Sequence, residues 1–400
     1  MNNVPSTFGW LDTDTQERSG MLDVIDLFRE RGTLDELGIG GIRDALSNTL
    51  FPGTSTLHSR LRYVLFIPWL LQAAADRATS NDEMRSEFAS LEGRLVRSLL
   101  AGGETEGVIG RVAGDRLVQK PSGMYWAALG SWGVRNVGSI DELYQRRRNY
   151  KALRRMTIET DDPGAREPLP SQGLDPRLPT QPSDLLEAAT FDLTPPEADY
   201  LTDRMTESTR GTAFAWLIDN PPISPARFVW EIENLDAAPA EARREIDHAR
   251  RFSYSIRGAT ILYHLIIAEK ADRHEHVEIH RDQLAEWHVE LEATAVLRDW
   301  DRADWWALIG KQNPRITQSP TQRFVDDWMR LASAPGTLAE NHQAREMIVQ
   351  RERRIKGSRA PLANQSALDR WGTGKSIGAH TFRWEIAQSH IRDLNTGRSA

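Results

Sequence analysis

The histidines of residues 274–288 are the side chains in this sequence that could hold a metal ion. His276 and His280 lie four positions apart, which places both on one face of a helix, and Glu278 lies between them. Imidazole and carboxylate groups can bind zinc, and a bound metal activates water for hydrolysis. The HExxH order is absent, because Val277 follows His276. The segment is strongly polar, so a solvated helix face without metal or other cofactor is our expectation.

Two segments rich in arginine could contact phosphate groups. The whole chain has a formal net charge of -7, so any attraction to nucleic acid must be local. Residues 146–155 contain six basic side chains and no acidic one, and residues 345–359 form a second basic segment. Both could instead be solvated helix faces. The candidate phosphate-binding residues are Arg146, Arg147, Arg148, Lys151, Arg351, Arg353, Arg354, Lys356 and Arg359.

Aromatic residues follow the second basic segment. Trp371 and Trp384 could offer stacking surfaces for bases, and Arg383 precedes the second of them. The tail is therefore predicted to grip a nucleic-acid backbone, with DNA as the expected partner. The alternative is a C-terminal arm that packs on the core, with its arginines in solvent or in ion pairs.

Composition excludes several other kinds of chemistry. The 400 residues contain no cysteine, which excludes disulfides, cysteine-ligated zinc and a cysteine nucleophile. The start of the chain lacks a basic segment followed by an apolar one, and no run of about eighteen apolar residues occurs. We therefore expect a cytoplasmic protein that does not bind a membrane.

The elements that must position these side chains are predicted to be helices. Ile39, Ile42, Leu46 and Leu50 recur at helical spacing. Two later segments, residues 63–71 and 252–269, are apolar almost all round, which is typical of buried helices. Trp69 and Ile261 are the core positions predicted within these two segments.

The domain organisation follows from a proline-rich stretch. Residues 160–190 are rich in proline and poor in large apolar side chains, which predicts an exposed linker. The predicted fold is mainly α, with helical lobes at residues 1–159 and 191–400. A small winged-helix-like unit could lie near residues 90–140, because glycines punctuate a segment there that could form a β-hairpin.

Several blocks of the sequence resemble an uncharacterised bacterial family with a domain of unknown function. The blocks include FGWLD at residues 8–12, LFPGTST at 50–56 and FRW at 382–384. The resemblance implies a loose association with anti-phage defence islands, beside helicases and phospholipase D-like nucleases. It brings no catalytic residues.

Three hypotheses about function follow. We expect a non-catalytic, nucleic-acid-associated subunit of an intracellular bacterial anti-phage defence system. Its other partners would be proteins of that system, such as a helicase or a nuclease. The alternatives are a metal-dependent hydrolase or nuclease that uses histidine and acidic residues of the second lobe, and a scaffold that binds only protein.

Overall fold

The described part of the chain is built from α-helices. A computed structural model describes residues 36–112, 119–159, 172–334, 336–371 and 377–400, without the side chains of 153–159. Fourteen α-helices lie in these residues, and no β-strand does. The only backbone pairing of the β type among them is an isolated bridge between Arg135 and Leu174. The prediction of a mainly α fold is confirmed.

Five of the helices in the described residues lie before the proline-rich stretch. Ser80 caps the third of them by accepting a hydrogen bond from the backbone N–H of Glu83. Pro121 opens the fourth, at a position where its missing N–H costs nothing. The five helices are α1 (Gly40–Leu50), α2 (Tyr63–Arg77), α3 (Asn81–Ala101), α4 (Pro121–Ser131) and α5 (Ile140–Glu159).

The other nine helices of the described residues follow the proline-rich stretch. They are α6 (Pro195–Ser208), α7 (Ala213–Asp219), α8 (Ala240–Lys270), α9 (His274–Thr294), α10 (Arg302–Gln312), α11 (Pro320–Ala332), α12 (His342–Lys356), α13 (Gln365–Asp369) and α14 (Trp384–Ser399). None of the described helices is long and apolar enough to cross a bilayer.

The long helix α8 is the centre of the second half, where it packs against α9, α11, α12 and α1. Gly258 permits the close approach of α9, because a Cβ atom there would lie 2.4 Å from the ring of Trp287. The indole N–H of Trp287 donates to the backbone carbonyl of Tyr254 at 2.7 Å. Ile261 in α8 and Trp69 in α2 are both fully buried, which confirms the two core positions predicted from the sequence.

Buried apolar residues form one cluster that extends from Leu37 to Leu394. Polar contacts accompany it across the proline-rich stretch: the guanidinium of Arg62 pairs with the carboxylate of Glu197 at 2.8 Å, and both are buried. The carboxylate of Asp393 accepts the backbone N–H of Leu61 at 3.1 Å. The two halves therefore share their interior, and the division into two lobes stays a prediction.

The described part of the proline-rich stretch is packed against the first half. Leu174 and Leu185 are buried, and the backbone carbonyl of Pro179 accepts the indole N–H of Trp69 at 2.7 Å. The stretch is therefore only partly exposed: polar residues such as Arg177, Asp184 and Glu187 face solvent, whereas its few large apolar side chains enter the core. Residues 160–171 lie outside the described residues.

The region of residues 90–140 contains helices and turns where it is described. The winged-helix-like unit needs a β-hairpin, and residues 113–118 in the middle of the candidate segment lie outside the described residues. The unit therefore stays a prediction. The FGWLD block at residues 8–12 is also outside them.

Candidate functional site

The two sides of α12 separate the arginines of the second basic segment. Asn341 caps the helix by accepting from the backbone N–H of Ala344. Arg351 and Glu352 face the core, whereas Arg353 and Arg354 are exposed. Because a helix turns about 100° per residue, a run of arginines cannot face one surface together.

Arg351 is buried and makes its hydrogen bonds within the protein. Its Nε donates to the backbone carbonyl of Leu37 at 2.8 Å, and its Nη2 donates to that of Gly38 at 3.0 Å and to the hydroxyl of Thr321 at 2.9 Å. The guanidinium also lies 4.9 Å from the ring centroid of Phe324. The residue joins three parts of the chain, so a role as a phosphate contact does not fit its burial.

Lys356 is also engaged within the protein. Its ammonium donates to the hydroxyl of Tyr263 at 2.6 Å and lies 3.6 Å from the carboxylate of Glu352. That carboxylate, which is fully buried, accepts the Tyr263 hydroxyl at 2.6 Å and the backbone N–H of Leu362 at 3.0 Å. Burial, together with the hydrogen bond to Glu352, raises the pKa of Tyr263, so the phenol stays protonated.

The outward cations at the end of α12 form the candidate site. Arg353 and Arg354 lie in the last turn, and Arg359 ends a 3-10 helix that begins at Gly357. All three are exposed, and no ion pair with a described residue engages them. Cations in a last turn also stabilise the helix by opposing its dipole, so part of their role is local.

A fourth exposed arginine follows the next helix and was not predicted. The amide of Asn364 donates to the backbone carbonyl of Ser358 at 2.7 Å, which ties α13 to the end of α12. Arg370, which is exposed, follows α13 directly. No other basic residue stands next to Arg370 in the sequence, so a search for runs of positive charge did not indicate it. We call Arg353, Arg354, Arg359 and Arg370 the basic surface.

In the first basic segment, on α5, three of the four candidate cations pair with carboxylates. Arg147 is buried and pairs with Asp76 at 2.9 Å, and Lys151 pairs with the same carboxylate at 2.7 Å. Arg146 pairs with Glu142 one turn earlier at 2.7 Å. Arg148 is exposed and lies 5.7 Å from the ring centroid of Tyr144. Three of these four candidates therefore have acidic partners. A phosphate contact does not fit the buried Arg147, and it stays a prediction for Arg146, Arg148 and Lys151.

Two of the three tail residues predicted to stack on or grip nucleic acid lie inside the protein. Trp384 is fully buried, and its indole N–H donates to the backbone carbonyl of Ala226 at 3.0 Å. Arg383 donates to the side-chain oxygen of Asn48 at 2.8 Å and to the backbone carbonyl of Thr54 at 2.9 Å. The tail anchors the start of α14 on the first half, so Trp384 offers no ring face to a base.

The half-buried Trp371 lies instead among histidines. The centroid of its ring is 5.7 Å from that of His264 and 6.4 Å from that of His276. The His264 ring is 5.5 Å from that of His280, and its Nε2 lies 2.7 Å from a carboxylate oxygen of Glu36. The four-residue spacing within α9 predicted that His276 and His280 lie on one helix face. His264 comes from α8, and the sequence did not predict that it joins them.

This histidine group does not have the geometry of a metal centre in the described residues, where no set of three or more His, Cys, Asp or Glu side chains is arranged to hold an ion. Burial lowers the pKa of His280, and the neighbouring His264 and His276 lower it further. The lowered pKa favours the neutral form of the His280 imidazole at neutral pH.

A cavity of about 670 Å³ lies between α10 and α11. Sequence reasoning missed it because its walls come from residues 297–306 and 326–333, two segments with no shared motif. The cluster of Trp300, Trp305 and Trp306 was the only signal. The lining residues are Leu297, Asp299, Trp300, Arg302, Ala303, Trp306, Asp326, Asp327, Met329, Arg330 and Ser333.

Comparison with known proteins gives a family and nothing more. A family model described as a family of unknown function (DUF6361) matches residues 5–397, so the chain belongs to that family. The predicted membership of an uncharacterised family is thereby confirmed. No curated protein and no solved structure matches the chain.

Proposed function

We propose that this protein is a non-catalytic, nucleic-acid-associated subunit that contacts phosphate groups through the basic surface. The observation that carries the proposal is the exposure of Arg353, Arg354 and Arg359 without an acidic partner among the described residues. Elsewhere in the described chain, most of the arginines named as candidates are held by carboxylates or backbone carbonyls.

The chemistry of these side chains suits a phosphate backbone. A guanidinium is always charged and presents a planar fork of donors that matches two phosphate oxygens. Because the chain is acidic overall, a local group of arginines would direct a polyanion to one place on its surface. We expect contacts that position the nucleic acid without reading its sequence.

The setting of this function is part of the proposal. The other partners would be proteins that act on nucleic acid, such as a helicase or a nuclease of an intracellular anti-phage defence system in bacteria. The resemblance described above motivates this setting. Purification from the native host would show which proteins accompany the chain.

The test of DNA binding compares two variants that carry the same change of charge. The first variant replaces Arg353, Arg354 and Arg359 by Glu. The second replaces by Glu three exposed arginines from separate parts of the chain, Arg94, Arg298 and Arg315. Affinity for duplex and single-stranded DNA is measured across a salt series. Each lost phosphate contact should reduce the slope of log K against log salt by roughly one unit on duplex DNA.

The two variants should differ clearly. The first should lose affinity for all sequences alike, and the second should retain most of it, because its arginines do not share one surface. Equal losses in both would mean that only net charge matters. An absence of wild-type binding at low salt would remove the nucleic-acid proposal and favour a scaffold that binds only protein.

The metal-dependent hydrolase is the second candidate: the fold places His264 and His276 beside Trp371 and His280 beside His264, although the described residues show no arrangement that would hold a metal ion. Replacement of His276 and His280 by Ala separates the two proposals. DNA affinity should stay at the wild-type value in this variant. Loss of a metal-dependent nuclease activity in it, with activity retained in the Arg353/Arg354/Arg359 variant, would favour the enzyme.

A further inference from the structure

The cavity between α10 and α11 has walls that are held in place by hydrogen bonds. The indole N–H of Trp300 donates to Nδ1 of His248 at 2.9 Å, and Nε2 of His248 lies 2.8 Å from the carboxylate of Asp304. Because Nδ1 accepts, the proton of this histidine is on Nε2 and is donated to Asp304. These two hydrogen bonds hold the Trp300 ring in place through its indole nitrogen.

The second aromatic wall is fixed in a similar way. The indole N–H of Trp306 donates to Oδ1 of Asp326 at 2.9 Å. The fully buried Trp305 lies between the two walls, with ring centroids 4.9 Å from Trp300 and 4.3 Å from Trp306. Two hydrogen bonds and the contacts among the three rings fix the position of both indoles, and preformed walls reduce the cost of binding.

The charges of the lining select the chemical class of the ligand. Asp326 is half-buried beside Trp306, and no hydrogen bond with a described residue engages its Oδ2. Arg302, at the first position of α10, is exposed at the rim and forms no ion pair with the described residues. Asp327 and Arg330, also at the rim, pair with each other.

This mixture disfavours two simple ligands. A small anion would meet the carboxylates of Asp299, Asp326 and Asp327, and a small cation would meet the guanidinium groups of Arg302 and Arg330. A ligand that satisfies both signs carries hydrogen-bond donors at one end and a negative group at the other. Trp300 and Trp306, which are 9% and 8% exposed, line the space between these ends and give a flat ring an apolar contact there.

We propose that the cavity binds a nucleotide whose base carries an amino group, with the base against Trp300 and Trp306, the amino group on Asp326 and the phosphate on Arg302. Carboxylates accept from exocyclic amino groups of bases, and arginine binds phosphate with charge-assisted hydrogen bonds. The volume of about 670 Å³ lies within the range of small-molecule sites, roughly 300–1,000 Å³. The inference is independent of the basic surface.

The experiment uses the full-length chain and titration calorimetry with three probes, GMP, CMP and UMP, to millimolar concentration. The wild-type protein should bind GMP and CMP saturably and more tightly than UMP, because uracil has no exocyclic amino group. Asp326→Asn keeps an oxygen for the indole N–H of Trp306 but adds a donor in place of an acceptor. It should weaken GMP binding by about tenfold or more.

Matched variants assign the two ends of the site. Asp327→Asn makes the same chemical change at the neighbouring rim position and should leave the affinity for GMP unchanged. Arg302→Gln should weaken GMP by about tenfold but leave the affinity for guanosine, which has no phosphate, unchanged. Circular dichroism of each variant checks that the helices are intact.

Two results would overturn the proposal. One is the absence of saturable binding of all three nucleotides to the wild-type chain. The other is an equal affinity for GMP in the Asp326 and Asp327 variants. The variant with Glu at positions 353, 354 and 359 should bind GMP as the wild type does, so the nucleotide site and the proposed DNA contact can fail separately.

Discussion

The helices α5 and α12 carry similar runs of arginine in the sequence, but the fold treats them differently. On α5, Asp76 at the end of α2 pairs with both Arg147 and Lys151, and Glu142 pairs with Arg146. At the end of α12, Arg353, Arg354 and Arg359 meet no carboxylate of the described residues. Arg147 and Lys151 of α5 join that helix to α2, whereas the arginines at the end of α12 face solvent.

The difference shows that a run of positive charge does not reveal its own role. The acid that neutralises α5 comes from a residue about seventy positions earlier, which no local pattern connects to it. Even within α12, two arginines only two positions apart differ: Arg351 binds carbonyl groups of the interior, and Arg353 is exposed. The function of each arginine therefore depends on what the fold places beside it.

The largest expected effect is on stability and compares two arginines of α12. Arg351→Met removes donors from two buried carbonyl groups and a hydroxyl, so the free energy of unfolding should fall by about 3 kcal/mol. Arg353→Met should change it by less than about 0.5 kcal/mol, because that side chain is exposed. Urea denaturation of both variants measures the difference. Similar losses would show that the two sides of α12 are not distinct.

The next prediction concerns DNA and compares the two helices directly. Neutralising Arg146, Arg148 and Lys151 with Gln should leave DNA affinity within about twofold, since two of the three are already paired with carboxylates. The same change at Arg353, Arg354 and Arg359 should weaken binding by about tenfold or more at low salt. Filter binding or fluorescence anisotropy gives both values. A greater loss in the α5 variant would reverse the assignment of the interface.

The smallest expected effect is a pH dependence specific to α5. Burial would raise the pKa of Asp76, but hydrogen bonds from Lys151 and Arg147 outweigh it and hold the pKa below the ordinary value of 3.8. The folded state therefore releases this proton more readily than the unfolded state. The stabilisation is present above about pH 4 and is lost as the pH falls through the folded pKa.

The measurement compares Asp76→Asn with the wild type. At pH 7 the variant should be less stable by about 0.5–1 kcal/mol, a modest value because the side chain of Asp76 is half exposed. The difference should shrink between pH 4 and 3. The Arg353→Met variant, which has no such carboxylate, should show no change in its difference from wild type over this range. A constant difference for Asp76→Asn would argue against the pairing.

The sequence by itself determined the helical class, the family and the most buried helices. Apolar residues in α2 and α8 were sufficient to predict burial at Trp69 and Ile261, since helical periodicity and long apolar runs are local properties. Arg257, which is half-buried within this apolar helix α8, has a partner: its guanidinium donates to Glu290 at 2.8 Å. Burial of a charge without a partner is too costly for a stable core.

The tertiary structure alone decided which candidate side chains are available. Trp384 is aromatic and follows an arginine, but its surroundings make it part of the core. The group of His264 with His276 and His280, and the cavity between α10 and α11, both combine residues from separate helices. A sequence pattern reports the period of one helix, whereas these sites depend on how helices pack against each other, and contacts distant along the chain leave no local trace.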